Sequence, residues 1–371
     1  MPHSRTAPLI TDILPTTLRS LGNPLEDNRA SVVALGQQLG LGAERGVVVV
    51  LVDGLGYRNL VDSLAHTRFL RARKEDIILG HTVLPSTTAA AITSFGTGRQ
   101  PGATRMVGWS VKDGARTTVL ISFEGASQPP SRWQPVPTLW ERAKRRGLES
   151  AVVSDPKFAH SGLTMAALRG TRHVGARTLE QRVDTAVELA NRGQKLIYLY
   201  WGQLDHAGHK YGWRSAQWLA QLEEVDSGLQ RLTDRLPAGY SAVLTADHGM
   251  IDADPQERWD LAEQPQLRDG VSAIAGEGRF VHLHADRDPN GVLQRWRSVL
   301  GGSARIVPKA HAPRVIGNGP GNNLIGDALV LGRGATTIVD SRHQPDGMVH
   351  LRGVHGSDSA WESDIPILRL R

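Results

Sequence analysis

The chain has no cysteine, which excludes disulfides, thiolate metal sites and thiol nucleophiles. It also lacks any run approaching 18 apolar residues, so no membrane-spanning helix is expected. The opening stretch, MPHSRTAPLITDILPTTLRS, carries prolines where the apolar core of a secretion signal would sit. Together these absences set the expectation of a cytoplasmic protein. A basic tail is missing as well. Lys and Arg outnumber Asp and Glu by 43 to 37, a net charge of +6, but they are spread along the chain, so no dedicated nucleic-acid surface is expected. A small phosphorylated substrate needs only the local charge of a site. There is no internal repeat and no low-complexity segment.

What is present is an ordinary globular composition, 40% hydrophobic and 22% charged over 371 residues. That length suits one large domain spanning 1–371, or a domain with a sizeable insertion. The segment up to Ala43 reads as a loop followed by one short helix beginning near Asn28. Residues 46–52, GVVVVLV, read as a strand buried on both faces, because they are apolar throughout and rich in Val. The same grammar recurs at 195–201 (KLIYLYW) and 240–245 (YSAVLT), and more weakly at 150–154. Helical patterns fall between, at 88–97, 138–146, 179–192 and 215–236. Strands alternating with helices imply a parallel sheet covered on both sides. From about 252 to 342 the texture changes to short strands and a helix at 290–300, which reads as a small α/β cap or insertion. The chain then returns for a last strand at 365–370.

Three polar clusters follow the ends of three such strands. They are Asp53-Gly54, then Asp205-His206-Ala-Gly-His209, then Asp247-His248-Gly249. Ligands bind at the carboxyl ends of strands in open α/β sheets, so these carboxylates and imidazoles can converge on one place. Asp and His are the ligands expected where zinc is held without cysteine. Asp205 and His209 are four apart and would share one face of a helical turn. His355-Gly356 closes the set. Each element alone reads equally well as a turn or a helix cap; their occurrence together and in order is the signal.

The order Asp-Gly, a Thr nine residues before Thr97-Gly98, Asp-x-x-x-His, Asp-His-Gly and a late His-Gly resembles that of the alkaline phosphatase superfamily. It is most similar to the type I phosphodiesterase/nucleotide pyrophosphatase branch. The resemblance covers roughly 47–108 and 196–250 and the end near His355. It implies an alkaline-phosphatase-like α/β fold, a mostly parallel central sheet with helices on both faces; the small inserted cap at 252–342 lies outside the resemblance. It implies two divalent metal ions, zinc with manganese as the alternative. Asp205, His209 and His355 would hold one, and Asp53, Asp247 and His248 the other, beside Thr88. His206, His343 and His350 are spare candidates. The implied activity is hydrolysis of a phosphodiester or nucleotide pyrophosphate through a phospho-Thr88 intermediate.

The spacing selects Thr88 from Ser86, Thr87 and Thr88, and the residues agree. Thr88 opens an apparent helix, where free N–H groups and the positive dipole end attract phosphate. Ser86 and Thr87 read as caps. The family's Pro-Glu-Ser-His-Gly-Ile-x-Gly-Asn stretch is replaced here by Pro101-Gly-Ala-Thr-Arg-Met-Val-Gly108-Trp109. Trp109 stands where a phosphate-binding Asn is expected; it either stacks on a flat part of the substrate or packs as an aromatic. Arg99 and Arg105 lie near the nucleophile segment and read as surface arginines. Phosphomonoesterase, phosphonate hydrolase and mutase chemistry remain open on the same metal site. A reading from another class is a catalytically inactive anion-binding protein.

Overall fold

The computed structural model describes residues 7–25 and 28–371. At its centre lies strand β1 (Gly46–Val52), every residue of which is buried. Six more strands complete the sheet: β2 (Ile78–His81), β3 (Ser150–Ser154), β4 (Arg172–Gly175), β5 (Leu196–Trp201), β6 (Tyr240–Thr245) and β7 (Asp364–Arg369). Their spatial order is β2-β7-β6-β1-β5-β3-β4. β1 runs parallel to both β5 and β6, β3 is parallel to β5 and β4, and only the returning β7 is antiparallel to its neighbours. An all-apolar strand can be central only where helices cover both faces, which is the arrangement found.

The helices begin and end where local chemistry directs. Leu179–Asn191 starts with a capping box in which the Thr178 hydroxyl accepts from the Gln181 N–H. Thr88–Thr97 stops at Gly98, whose φ of 68° suits a left-handed cap. The sequence reading expected only one short helix before residue 43. Among the described residues there are two, Ile10–Ser20 and Ala30–Gln38. Pro15 inside the first argues against a helix from sequence, because proline cannot donate to the carbonyl of Thr11. Tertiary contact repairs this: the Arg29 guanidinium donates to that oxygen at 3.0 Å and pairs with Asp12 at 2.9 Å.

Residues after 252 build a second unit. Strands Val271–Glu277, Phe280–Ala285, Ala304–Pro308 and Ala328–Gly332 form an antiparallel sheet, backed by helix Pro289–Leu300. This unit has its own apolar cluster around Leu283, Val330 and Trp296. It is fastened to the main body by a wholly buried ion pair, Arg279 with Glu362 at 2.7 Å. No described helix is long and apolar enough to cross a membrane.

Candidate active site

Three loops leave the carboxyl ends of neighbouring strands and meet. Asp53 follows the last residue of β1, Asp247 and His248 follow β6, and Asp205 lies in the first turn of helix Gln203–Tyr211 beyond β5. Gly54 makes the first junction possible. Its φ is +73°, and a Cβ there would sit 3.0 Å from Asp205. Its N–H donates to Asp247 Oδ1 at 3.2 Å, and the His248 N–H donates to the same oxygen at 3.0 Å. The fourth contributor, His355, follows the short strand Gly353–Val354.

All seven of the residues singled out in the sequence gather here. His248 Nε2 lies 3.3 Å from Asp53 Oδ1 and 3.4 Å from Asp247 Oδ2. His209 Nε2 lies 3.2 Å from Asp205 Oδ2 and 3.3 Å from His355 Nε2. The rings of His248 and His355 stack with centroids 3.7 Å apart. The outer ring nitrogens are held by backbone carbonyls: Nδ1 of His209 by Gly353, of His248 by Gly249 and of His355 by Ser86. Each imidazole therefore turns Nε2 toward the centre. Thr88 is the first residue of its helix, and its Oγ1 lies 3.1 Å from His248 Nε2 and 3.5 Å from Asp53 Oδ1. The first turn of a helix leaves N–H groups without intrahelical partners, so this hydroxyl sits at an anion-attracting terminus.

The electrostatics show an excess of buried negative charge. Burial raises the Asp53 carboxyl well above its ordinary value, and Asp247 and Asp205 add repulsion. Burial likewise raises Asp247. Burial opposes charge on the His209 imidazole, but the adjacent Asp205 carboxylate outweighs it and raises His209 to about 9. Burial, followed by the neighbouring His248, pulls His355 well below its ordinary value. Asp205 Oδ1 and Asp247 Oδ2 are buried without any hydrogen-bond partner among the described residues. Orphaned carboxylate oxygens are costly, and cations would compensate them. Two groups have ligand atoms close enough to hold an ion: Asp53, Asp247 and His248, and Asp205, His248 and His355. The residues present therefore fit divalent metal, with oxygen and imidazole donors of the kind zinc and manganese accept.

Several participants escaped the sequence reading. The Tyr200 hydroxyl donates a short hydrogen bond to Asp53 Oδ2. Burial followed by the Asp53 carboxylate holds that phenol well above its ordinary range. Its place at the end of the KLIYLYW strand was the available signal. Ser86, read as a cap, instead ties down the His355 loop, donating to Ser357 O at 2.7 Å and accepting from Gly356 N at 3.1 Å. Thr87 occupies the N-cap position, but its side chain makes no capping bond. Arg105 lies over the Trp133 ring at 4.8 Å, and Arg99, His206 and His343 are exposed.

Two cavities adjoin the cluster. One of about 330 Å³ is bordered by Thr87, Trp109, His209 and His355, with Arg258, His350 and Arg352 at its edge. Glu277 from the second unit also faces it, and its backbone contact is with the Trp109 N–H at 3.1 Å. The other cavity, about 210 Å³, is bordered by Asp53, Thr88 and Asp205.

The pattern of the type I phosphodiesterase/nucleotide pyrophosphatase family matches residues 47–358. Among curated relatives, ectonucleotide pyrophosphatase/phosphodiesterase family member 7 of Rattus norvegicus is 29% identical over 189 residues, covering 48% of this chain and 42% of that protein. Its namesake in Homo sapiens is 28% identical over 141 residues, 34% of this chain and 30% of that protein. The chain thus spans less than half the length of the curated relatives it matches. Among solved structures, an inactive variant of murine ectonucleotide pyrophosphatase/phosphodiesterase 5 in complex with AMP gives a TM-score of 0.69 at 17% identity, covering 87% of each chain. Phosphonoacetate hydrolase from Sinorhizobium meliloti 1021, in complex with phosphonoformate, gives 0.69 at 18% identity, covering 88% of this chain and 90% of that one. At these identities the likeness is one of fold.

Proposed function

The chain belongs to the type I phosphodiesterase/nucleotide pyrophosphatase family, and from that premise we propose that it is a phosphodiesterase working through a phospho-threonine at Thr88. The observation that carries this reading is the Thr88 hydroxyl, 3.1 Å from His248 and 3.5 Å from Asp53, at a helix start beside orphaned carboxylate oxygens. Asp53, Asp247 and His248 would hold one divalent ion, and Asp205 and His355 a second, zinc or manganese, with His248 lying between the two groups and His209, 3.2 Å from Asp205 Oδ2, as the further ligand the resemblance implies. When bound, such ions supply positive charge against the entering and leaving oxygens.

The chain's own residues do the rest. The free N–H groups at the start of helix Thr88–Thr97 orient the phosphate. Asp53, held by Tyr200, and His248 fix the rotamer of Thr88, so its oxygen faces the phosphorus. A Thr88 O–P bond forms as the bond from phosphorus to the leaving arm breaks, and the departing oxygen takes up a proton. Water then cleaves the Thr88–phosphorus bond, returns a proton to the hydroxyl and releases a phosphomonoester. The cavity carrying Trp109, Arg258 and Arg352 is suited to the leaving arm, since arginines favour an anionic group.

Thr88→Ala tests the assignment with bis(4-nitrophenyl) phosphate as substrate. The expected result is loss of turnover with metal content unchanged by elemental analysis; retained turnover would place the nucleophile elsewhere. A preference of the parent protein for 4-nitrophenyl phosphate, or for an aryl phosphonate, would replace the diesterase reading without disturbing the site. No hydrolysis of any of them would leave an anion-binding protein.

A further inference from the structure

The smaller cavity opens directly onto Thr88 and Asp53. In an in-line displacement the leaving oxygen departs on the side away from the attacking one. A space bordering the nucleophile therefore holds the substituent that stays on phosphorus. Its walls are Ile92, Ile121, Val152, Phe158, Leu163 and Leu168. No Lys, Arg, His, Asn or Gln lines it. Beyond the site's own aspartates, its polar groups are hydroxyls, and most are already engaged. Ser154 Oγ lies 2.7 Å from His173 Nε2, Ser161 donates to Thr164 at 3.0 Å, and Tyr200 donates to Asp53. Only Tyr198, 1% exposed, has a hydroxyl with no partner among the described residues. The cavity on the other flank is its electrostatic opposite, with Arg258, Arg352, His350 and Glu277.

Resting on the diesterase reading, we infer that the retained arm of the substrate is an uncharged, mainly apolar group, an aryl or short alkyl ester in place of a nucleoside. A nucleoside would bring ribose hydroxyls and base-edge donors and acceptors into a space whose side-chain polar groups, the site's aspartates apart, are a few mostly engaged hydroxyls with no amide or basic group among them. Each polar group buried there unpaired costs roughly tenfold in affinity or more. An apolar arm meets no such penalty and gains from every carbon it removes from water. No basic side chain among the walls would pair a second phosphate or a carboxylate on that arm. The wall residues thus set the substrate class, and the nucleophile and its neighbours do not.

Two substrates sharing one leaving group isolate the retained arm: 4-nitrophenyl phenyl phosphate and thymidine 5′-(4-nitrophenyl phosphate), offered to the metal-loaded protein. The expected result is a kcat/KM at least tenfold higher for the phenyl ester; equal or higher values for the thymidine ester overturn the inference while the diesterase reading stands. If neither is cleaved, the diesterase reading falls, and binding decides the cavity alone. Phenyl phosphate should then bind the Thr88→Ala protein at least tenfold more tightly than thymidine 5′-monophosphate by calorimetry, and the reverse order overturns the inference. Ile121→Asn and Phe158→Asn, at two half-buried wall positions, should narrow the phenyl preference at least threefold. An unchanged ratio in both variants would move the retained arm out of this cavity.

Discussion

Replacing Glu362 by Gln probes how the second unit is fastened beside His355. Both partners of the Arg279–Glu362 pair are wholly buried. The guanidinium donates to both carboxylate oxygens, at 3.1 and 2.7 Å, and its remaining arm to Thr336 O. Glu362 also accepts the Ser357 N–H at 2.9 Å and the Ser359 hydroxyl at 2.5 Å, and its carbonyl accepts the Gly249 N–H at 2.9 Å. The carboxylate thus joins the inserted hairpin to the loop of His355, and its backbone joins the loop of His248. Gln keeps the shape but strands the buried charge of Arg279, which costs about 4 kcal/mol. The unfolding entropy of 371 residues is about 0.8 kcal/mol/K, so Tm should fall by about 5 °C. Calorimetric melting of Glu362→Gln, Arg279→Met and the double variant measures this. Each single variant leaves one charge alone and the double leaves none, so the double should be less damaged than the sum by about 2 kcal/mol. A drop below about 1 °C, or strict additivity, would refute the reasoning.

Stripping metal with a chelator should lower Tm, and restoring zinc or manganese at about a hundredfold over Kd should recover about 2.7 kcal/mol of stability; a cation-independent Tm would count against the site. Gly356→Ala places a methyl 2.8 Å from Glu277 Cγ on a backbone with φ of +131°, so it should cost about 1–3 kcal/mol in strain alone. Adding Glu277→Ala should relieve the clash and leave the strain, seen as partial recovery of Tm. Burial raises the Glu277 carboxyl from its ordinary 4.5 to about 8. Its contribution to the metal-free fold is therefore complete below pH 4.5 and is lost as pH rises through 8. Over that window wild-type protein should lose stability relative to Glu277→Gln in urea titrations, and parallel curves would show that the group does not titrate there.

Much of the architecture could be read from particular residues. The run 46–52 declared a central strand because nothing in it could face water, and 195–201 and 240–245 repeated the pattern. Asp53, Asp205, Asp247 and His248 could be picked out because each follows such a strand, and strand ends are local in the chain. Helix Ile10–Ser20 could not, since Pro15 disfavours it locally and it is Arg29, 18 residues after Thr11, that donates to the freed carbonyl. Glu277 could not be seen either; it lies 168 residues from Trp109, whose N–H it accepts.

The sequence by itself determined the buried strands at 46–52, 195–201 and 240–245 with helices between them, the donor types available for a metal, and a hydroxyl run at a helix start from which the family spacing selects Thr88. Those follow from hydrophobic periodicity and residue chemistry, which act over a few positions. Only the tertiary structure decided that Ser86 holds the His355 loop, that Tyr200 braces Asp53, and that one flank of Thr88 is apolar while the other carries arginines. Those depend on the approach of loops far apart in the chain, where packing and burial set what each group costs, and no local pattern encodes that.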